Sequence, residues 1–241
     1  MATYETEFGV IEFTTAELLS LPAEQRDFIM AASLIMNDIR FHWSIFLRSP
    51  TDSTVDDLKA LQIVRWFWCT RKLAGVIVEA YDCLNGYCGK IPALKALAQN
   101  SVPILSKENK KSKNLELARE FRNKSVYHYK FLNEVGRELS TFENDALHRI
   151  FAHQQSGNSI SELAEQIHTL PTLKRITGEQ NFDSFNNWCS TSSGTIMNFC
   201  ENAVGAIIRE NFPNKSYRTM ALKIQDEAES MRHRWPLFAV T

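Results

Sequence analysis

The segment IVRWFWCTRKLAGVIVEAY, residues 63–81, is apolar on almost every side of a helix. Only Gln62, Arg65, Lys72 and Glu79 draw a narrow polar stripe along it. A surface helix needs one apolar face; a helix apolar nearly all round has to be enclosed by others. The rest of the chain is therefore expected to pack helices around this one. With 9 Gly and 7 Pro in 241 residues, and long stretches holding neither, helices are favoured over turn-rich sheets.

Four long segments carry helical spacing. Ser53-Thr54-Val55-Asp56 resembles a capping box and opens the enclosed helix, which is expected to end near Asn85-Gly86. Before it, residues 22–48 put Phe28, Ala31, Ala32, Ile35, Ile39, Trp43 and Phe46 on one stripe, and Pro22 suits a first helical position. Residues 114–135 form the third. Residues 182–210 form the fourth, with Phe185, Trp188, Ile196, Phe199, Ala203, Val204 and Ile207 inward; weak helix formers at 190–195 leave room for a bend or break.

Shorter helices are expected over 141–154 and 159–169, split by Ser156-Gly157-Asn158, and a last amphipathic helix from Lys215 to about residue 234. Residues 86–113 read as a loop with one or two short turns, and Pro171 and Gly178 mark another loop. Residues 5–13 read as either a small strand or an extended arm, followed by a brief helical turn capped by Thr14 or Thr15. The fold class expected is all-α: a four-helix-bundle core with additional short helices, at most a minor terminal strand pair, in one domain over residues 1–241. Trp66, Phe67 and Trp68 are read as core packing rather than as a stacking platform for bases.

Net charge is −1, so bulk attraction to nucleic acid or membrane is not expected, and any such contact has to come from a local patch. Five cysteines, with no CxxC pair, suit free thiols in a reducing compartment. No leader pattern opens the sequence and no apolar run reaches the length of a membrane span, so a cytoplasmic location without membrane contact is expected.

Several chemistries find no support. Glu165-Gln166-Ile167-His168 has the form used in carboxylate di-iron bundles, but such a site needs a second copy and two further carboxylates. The second copy is absent, and the match is read as chance. His148 and His153, five apart, do not share a helix face. No phosphate-cradling glycine loop, GxSxG or HExxH is present. Cys189 and Cys200 sit in an apolar helical pattern and read as buried structural thiols. No metal and no cofactor is expected.

The segment NLELAREFRNKSVYHYKFLNEV, residues 114–135, is different. Leu117, Phe121, Leu132 and Val135 define an apolar stripe, and His128 lies on it where a leucine would be expected. Arg122, Asn123, Ser125, Tyr127 and Tyr129 surround it. Cations, an imidazole and hydroxyls beside a buried stripe are costly unless they are paired or used. Directly upstream, Lys107, Lys110, Lys111 and Lys113 make a basic run that is either a solvated loop or, with Arg119, Lys124 and Lys130, a patch that draws a polyanion.

Arg122-Asn123-Lys124-Ser125-Val126-Tyr127-His128 resembles the signature of the HEPN superfamily (higher eukaryotes and prokaryotes nucleotide-binding): an Arg followed by a polar residue, then a His after four to six intervening residues. The resemblance implies a helical-bundle, metal-independent endoribonuclease, a toxin or phage-defence effector whose Arg and His from two protomers form one cleft. It implies Arg122, His128 and Asn123 as catalytic residues, RNA as substrate with Lys110, Lys111, Lys113 and Lys124 as binding residues, a homodimer, and an antitoxin protein as partner. Some relatives carry a modifiable Tyr two residues after the His; Lys130 stands there, so that regulation is not carried over. On an ideal helix Arg122 and His128 are about 120° apart, so they meet only across two chains or on a distorted helix. Two other readings stay open: a non-catalytic helical interaction module, and a toxin silent without a partner or trigger.

Overall fold

A computed structural model of the chain describes residues 3–47, 56–101, 112–126, 134–143, 146, 150–151, 160–161, 165–178, 182–216 and 218–225. The fold is all-α with a terminal strand pair. In chain order the elements are β1 (Thr3–Val10), α1 (Thr15–Ser20), α2 (Ala23–Leu47), α3 (Asp56–Lys90), α4 (Pro92–Ser101) and α5 (Lys113–Phe121), then a π-helical turn, Arg122–Val126. There follow α6 (Glu134–Leu139), β2 (Ile150–Phe151), β3 (Ile160–Ser161), a second π turn (Glu165–Thr169), α7 (Leu170–Thr177), α8 (Asp183–Asn211) and β4 (Arg218–Gln225).

α3 is the enclosed helix. At 35 residues and about 1.5 Å per residue it is about 50 Å long. Leu73, Ala74, Ile77, Val78, Ala80, Tyr81 and Leu84 are buried along it, while Asp82 and Gly86 on the remaining stripe are exposed. α2 and α8 pack along α3 and against each other, and α5 docks on a further side of α3. Phe28, Phe121, Phe185 and Phe199 are the largest fully buried side chains. Each such ring contributes about 1.5–3 kcal/mol over its exposed state. Phe67 and Trp66 close on Phe182, with centroids 4.7 and 5.1 Å away, which is core packing; Trp68 reaches the surface.

Outside the 114–135 segment, five boundaries differ from the sequence expectations. α3 runs past Gly86 to Lys90, since Cys88 and Ile91 bury beyond the glycine. Residues 92–101 are helix rather than loop: Leu94 and Ala98, four apart, both bury, and Pro92 starts the first turn. Leu170–Thr177 is helix too, with Pro171 in its first turn and Gly178 as a left-handed C-cap at φ 78°. Within 141–154 and 159–169, where helices are expected, the described residues include a two-residue antiparallel pair, Ile150–Ser161 and Phe151–Ile160, and the second π turn. β-branched and aromatic residues favour that pairing. Ser156-Gly157-Asn158 lies outside the described residues.

The helix expected from Lys215 is the fifth. Residues 218–225 are instead a strand paired antiparallel with β1, with Met220 opposite Phe8, Leu222 opposite Thr6 and Ile224 opposite Tyr4. Apolar residues at 220, 222 and 224 satisfy period two as well as a helical stripe, and the long-range partner decides between them. α8 runs unbroken through 190–195, because Ser192 and Ser193 are buried and tertiary packing outweighs weak propensity. At the other end, Thr14 and Glu17 form a capping box for α1, and Lys215 reaches Glu17 at 2.5 Å, fastening the root of β4 to α1.

Candidate functional site

α5 is amphipathic, and Leu115, Leu117, Ala118 and Phe121 bury against α3. The regular helix expected over 114–135 ends at Phe121. The Arg122 amide reaches both the Ala118 and Arg119 carbonyls, and the backbone then widens into the π turn. π turns recur at functional sites because they re-aim side chains without ending a helix. Helical spacing counted across this turn does not carry over: Val135, expected on the stripe with Phe121, is 41% exposed in α6. His128 and Leu132 lie outside the described residues, as do Lys107, Lys110, Lys111, Tyr127, Tyr129 and Lys130.

Arg122 is the first residue of the turn. Its Nε donates to a Glu79 carboxylate oxygen; the two side chains are 33% and 46% exposed. One helical turn earlier, Arg119 lies 3.8 Å from Asp82 through Nη2, with its guanidinium over the Tyr81 ring. Asn123 is exposed beside Arg122. Lys124 bonds Glu120 at 2.8 Å, and Glu120 also accepts from Arg175 of α7 at 2.7 Å. Burial works against the Glu120 charge, but those two cations outweigh it and hold the carboxyl below its ordinary range. Lys113 is exposed at the start of α5. Of the residues proposed to bind RNA, Lys124 is thus already paired and Lys113 faces solvent.

A second polar cluster lies on the other side of Phe121. Arg71 of α3 pairs with Glu165 at 3.0 Å, and both are buried. The Thr169 hydroxyl accepts from Arg71 at 3.5 Å and donates to Glu165. Burial pushes the Glu165 carboxyl up, against the opposing pull of Arg71. The His168 ring meets the edge of Phe121, with centroids 5.9 Å apart. Glu165 and His168 thus share one π turn, but no group of three His, Cys, Asp or Glu side chains suited to a metal occurs among the described residues.

The sequence reading passed over Arg71, because a lone Arg inside an apolar run looks like an interruption. Its signal was Thr70-Arg71 lying off the polar stripe of Lys72 and Glu79. Glu79 was on that stripe but had no partner assigned to it, since nothing local pairs residue 79 with residue 122. The thiols offer no nucleophile: all five are free, and burial raises Cys88, Cys189 and Cys200, the last to about 12. Among the described residues no helix is long and apolar enough to cross a membrane. No protein-family model, no curated protein and no solved structure matches the chain.

Proposed function

We propose that the chain is a metal-independent endoribonuclease of HEPN type, in which Arg122 stabilises charge on the scissile phosphate and His128 moves the protons. The observation that carries the reading is the presentation of Arg122. It sits half-exposed on a π turn, anchored by the buried Phe121 beside it, and among the described residues one carboxylate, Glu79, engages it through Nε. A guanidinium held in that way keeps its terminal donors for an incoming anion.

The chemistry follows from the two residue types. The 2′-hydroxyl loses its proton to His128, its oxygen bonds to phosphorus, and the bond to the 5′-oxygen breaks as that oxygen takes up a proton. The products are a 2′,3′-cyclic phosphate and a 5′-hydroxyl. Histidine titrates near neutral pH and suits both transfers. Arg122 meets the negative charge that grows on the phosphorane oxygens. Asn123, exposed next to it, orients His128 or the phosphate. Lys110, Lys111, Lys113 and Lys124 supply the local positive patch that a chain of net charge −1 requires.

A homodimer completes the site in this reading. Val135 and Leu139, four apart on α6, are both exposed, an apolar pair close in sequence to the motif. The setting proposed is cytoplasmic, as a toxin or phage-defence effector held by an antitoxin protein. A second reading, a non-catalytic helical module, is favoured by one observation: Arg122–Glu79 and Arg119–Asp82 are parallel rungs between α5 and α3. The experiment that separates them is cleavage of total RNA by the purified chain in excess chelator, with the product ends identified. Cleavage with 2′,3′-cyclic ends, lost by about 10²–10⁴-fold in a folded His128→Ala variant, is the outcome expected of the enzyme. Undiminished cleavage by that variant ends the assignment.

A further inference from the structure

The geometry points to Glu79 as the positioning residue for Arg122: it grips the guanidinium side-on so that the fork of terminal nitrogens faces the phosphate. This rests on the reading of Arg122 as a catalytic group. The contrast with the neighbouring rung carries the argument. Arg119 turns a terminal nitrogen, Nη2, toward Asp82 at 3.8 Å, with its Cζ 5.8 Å from the centre of the Tyr81 ring, so that end of its fork points to α3. Arg122 gives Glu79 only Nε. Four N–H groups on Nη1 and Nη2 have no hydrogen-bond partner among the described residues, and they form the planar pair that matches two phosphate oxygens.

Glu79 is also well placed to act as a fixed anchor. It projects from the middle of α3, and its neighbours Val78 and Ala80 are fully buried, so its Cα position is set by the core. Arg122 is tied likewise through Phe121, which is fully buried. What freedom the cation has lies mainly in its long side chain, and the Glu79 contact biases that toward one orientation. A half-exposed carboxylate so close to the phosphate also repels it. Glu79 therefore aids the step that follows binding and opposes binding itself, and this split separates it from a residue that merely holds helices together.

The test uses the full chain and a short fluorescent RNA, in chelator, with Glu79→Ala, Glu79→Gln, Asp82→Ala and Arg122→Ala. Glutamine keeps a carbonyl oxygen for Arg122 Nε and loses the charge. We expect Glu79→Ala to lower kcat by about 10- to 100-fold with KM unchanged or reduced, as misaligned catalytic groups do. We expect Glu79→Gln to stay within about threefold of wild type and Asp82→Ala to match it, since the hydrogen bond survives in the first and a different cation is touched in the second. Melting temperatures should stay close across the set. Wild-type kcat in Glu79→Ala overturns the proposal, as do equal losses in the alanine and glutamine variants. A wild type that does not cleave, or an Arg122→Ala variant that cleaves normally, removes the catalytic reading and this proposal with it. That outcome is distinct from Glu79→Ala failing alone.

Discussion

The two π turns use the same backbone device in opposite surroundings. At 165–169 the charged group faces inward: Glu165 and Arg71 pair away from water, and Thr169 bonds both of them. At 122–126 the charged group faces outward: Arg122 and Glu79 meet where both are reachable by solvent. Both turns pack on α3, and Phe121 and His168 touch between them. A buried ion pair costs much to break and is inaccessible to a substrate. A half-exposed pair contributes little to folding and can change partners. In the proposed reading the inner turn serves the fold and the outer one serves recognition.

The largest effect should come from breaking the inner pair. Glu165→Ala leaves Arg71 charged and buried and should cost about 3–5 kcal/mol in urea or thermal melts. The double change Arg71→Met with Glu165→Leu should recover most of that loss, since neither charge then remains uncompensated. A single variant that melts like wild type would show that the inner cluster is not what holds 165–169 to α3.

Next in size is the outer pair, and here stability should barely respond. Arg122→Ala and Glu79→Ala should each cost at most about 1 kcal/mol, because solvent screens and replaces the contact. A melt lowered as far as that of Glu165→Ala would erase the distinction between the turns and favour the rung of a purely structural ladder.

A third pair, Lys215 with Glu17, lies between the two in exposure. The Lys215 hydrogen bond and then the Thr14 amide hold the Glu17 carboxyl down at about 2. An unfolded Glu titrates near about 4.3. A carboxyl lowered on folding contributes stability that is fully present above the unfolded value and is lost as pH falls toward the folded one. Lys215→Met should therefore melt below wild type near neutral pH, with the gap closing as pH falls from about 4.3 toward 2. A gap independent of pH would mean that Lys215 acts through its packing on Phe13 and Phe212 alone.

The smallest effect concerns the basic run. Replacing Lys110, Lys111 and Lys113 with Glu should weaken RNA binding across sequences. It should also flatten the salt dependence by up to about 0.7 log units per lost phosphate contact. An unchanged slope would leave the run as a solvated loop.

The bundle was legible because helical period and composition are local. Residues 63–81 are apolar on almost every side, and most of the circumference of α3 there is buried. What was not legible depended on partners distant in sequence. Residues 218–225 fit a helix and a strand equally well until β1, more than 200 residues away, pairs with them. The site was half legible. Arg122 and Asn123 stood out because polar groups beside an apolar stripe demand an explanation. The carboxylate that holds Arg122 did not, since its partnership exists only once α5 lies on α3. Glu165 and His168 resemble a metal motif in sequence; in the fold Glu165 pairs with Arg71, a cation 94 positions away that no motif connects to it, and His168 meets Phe121.

The most direct test of the division between the turns is the cleavage rate per folded molecule of Arg122→Ala, measured in chelator beside Glu165→Ala. The account predicts that Arg122→Ala keeps its fold and loses about 10²–10³-fold in rate, as expected when a phosphorane loses its cation. It predicts that the folded fraction of Glu165→Ala cleaves at close to the wild-type rate. Full cleavage by folded Arg122→Ala would contradict the account.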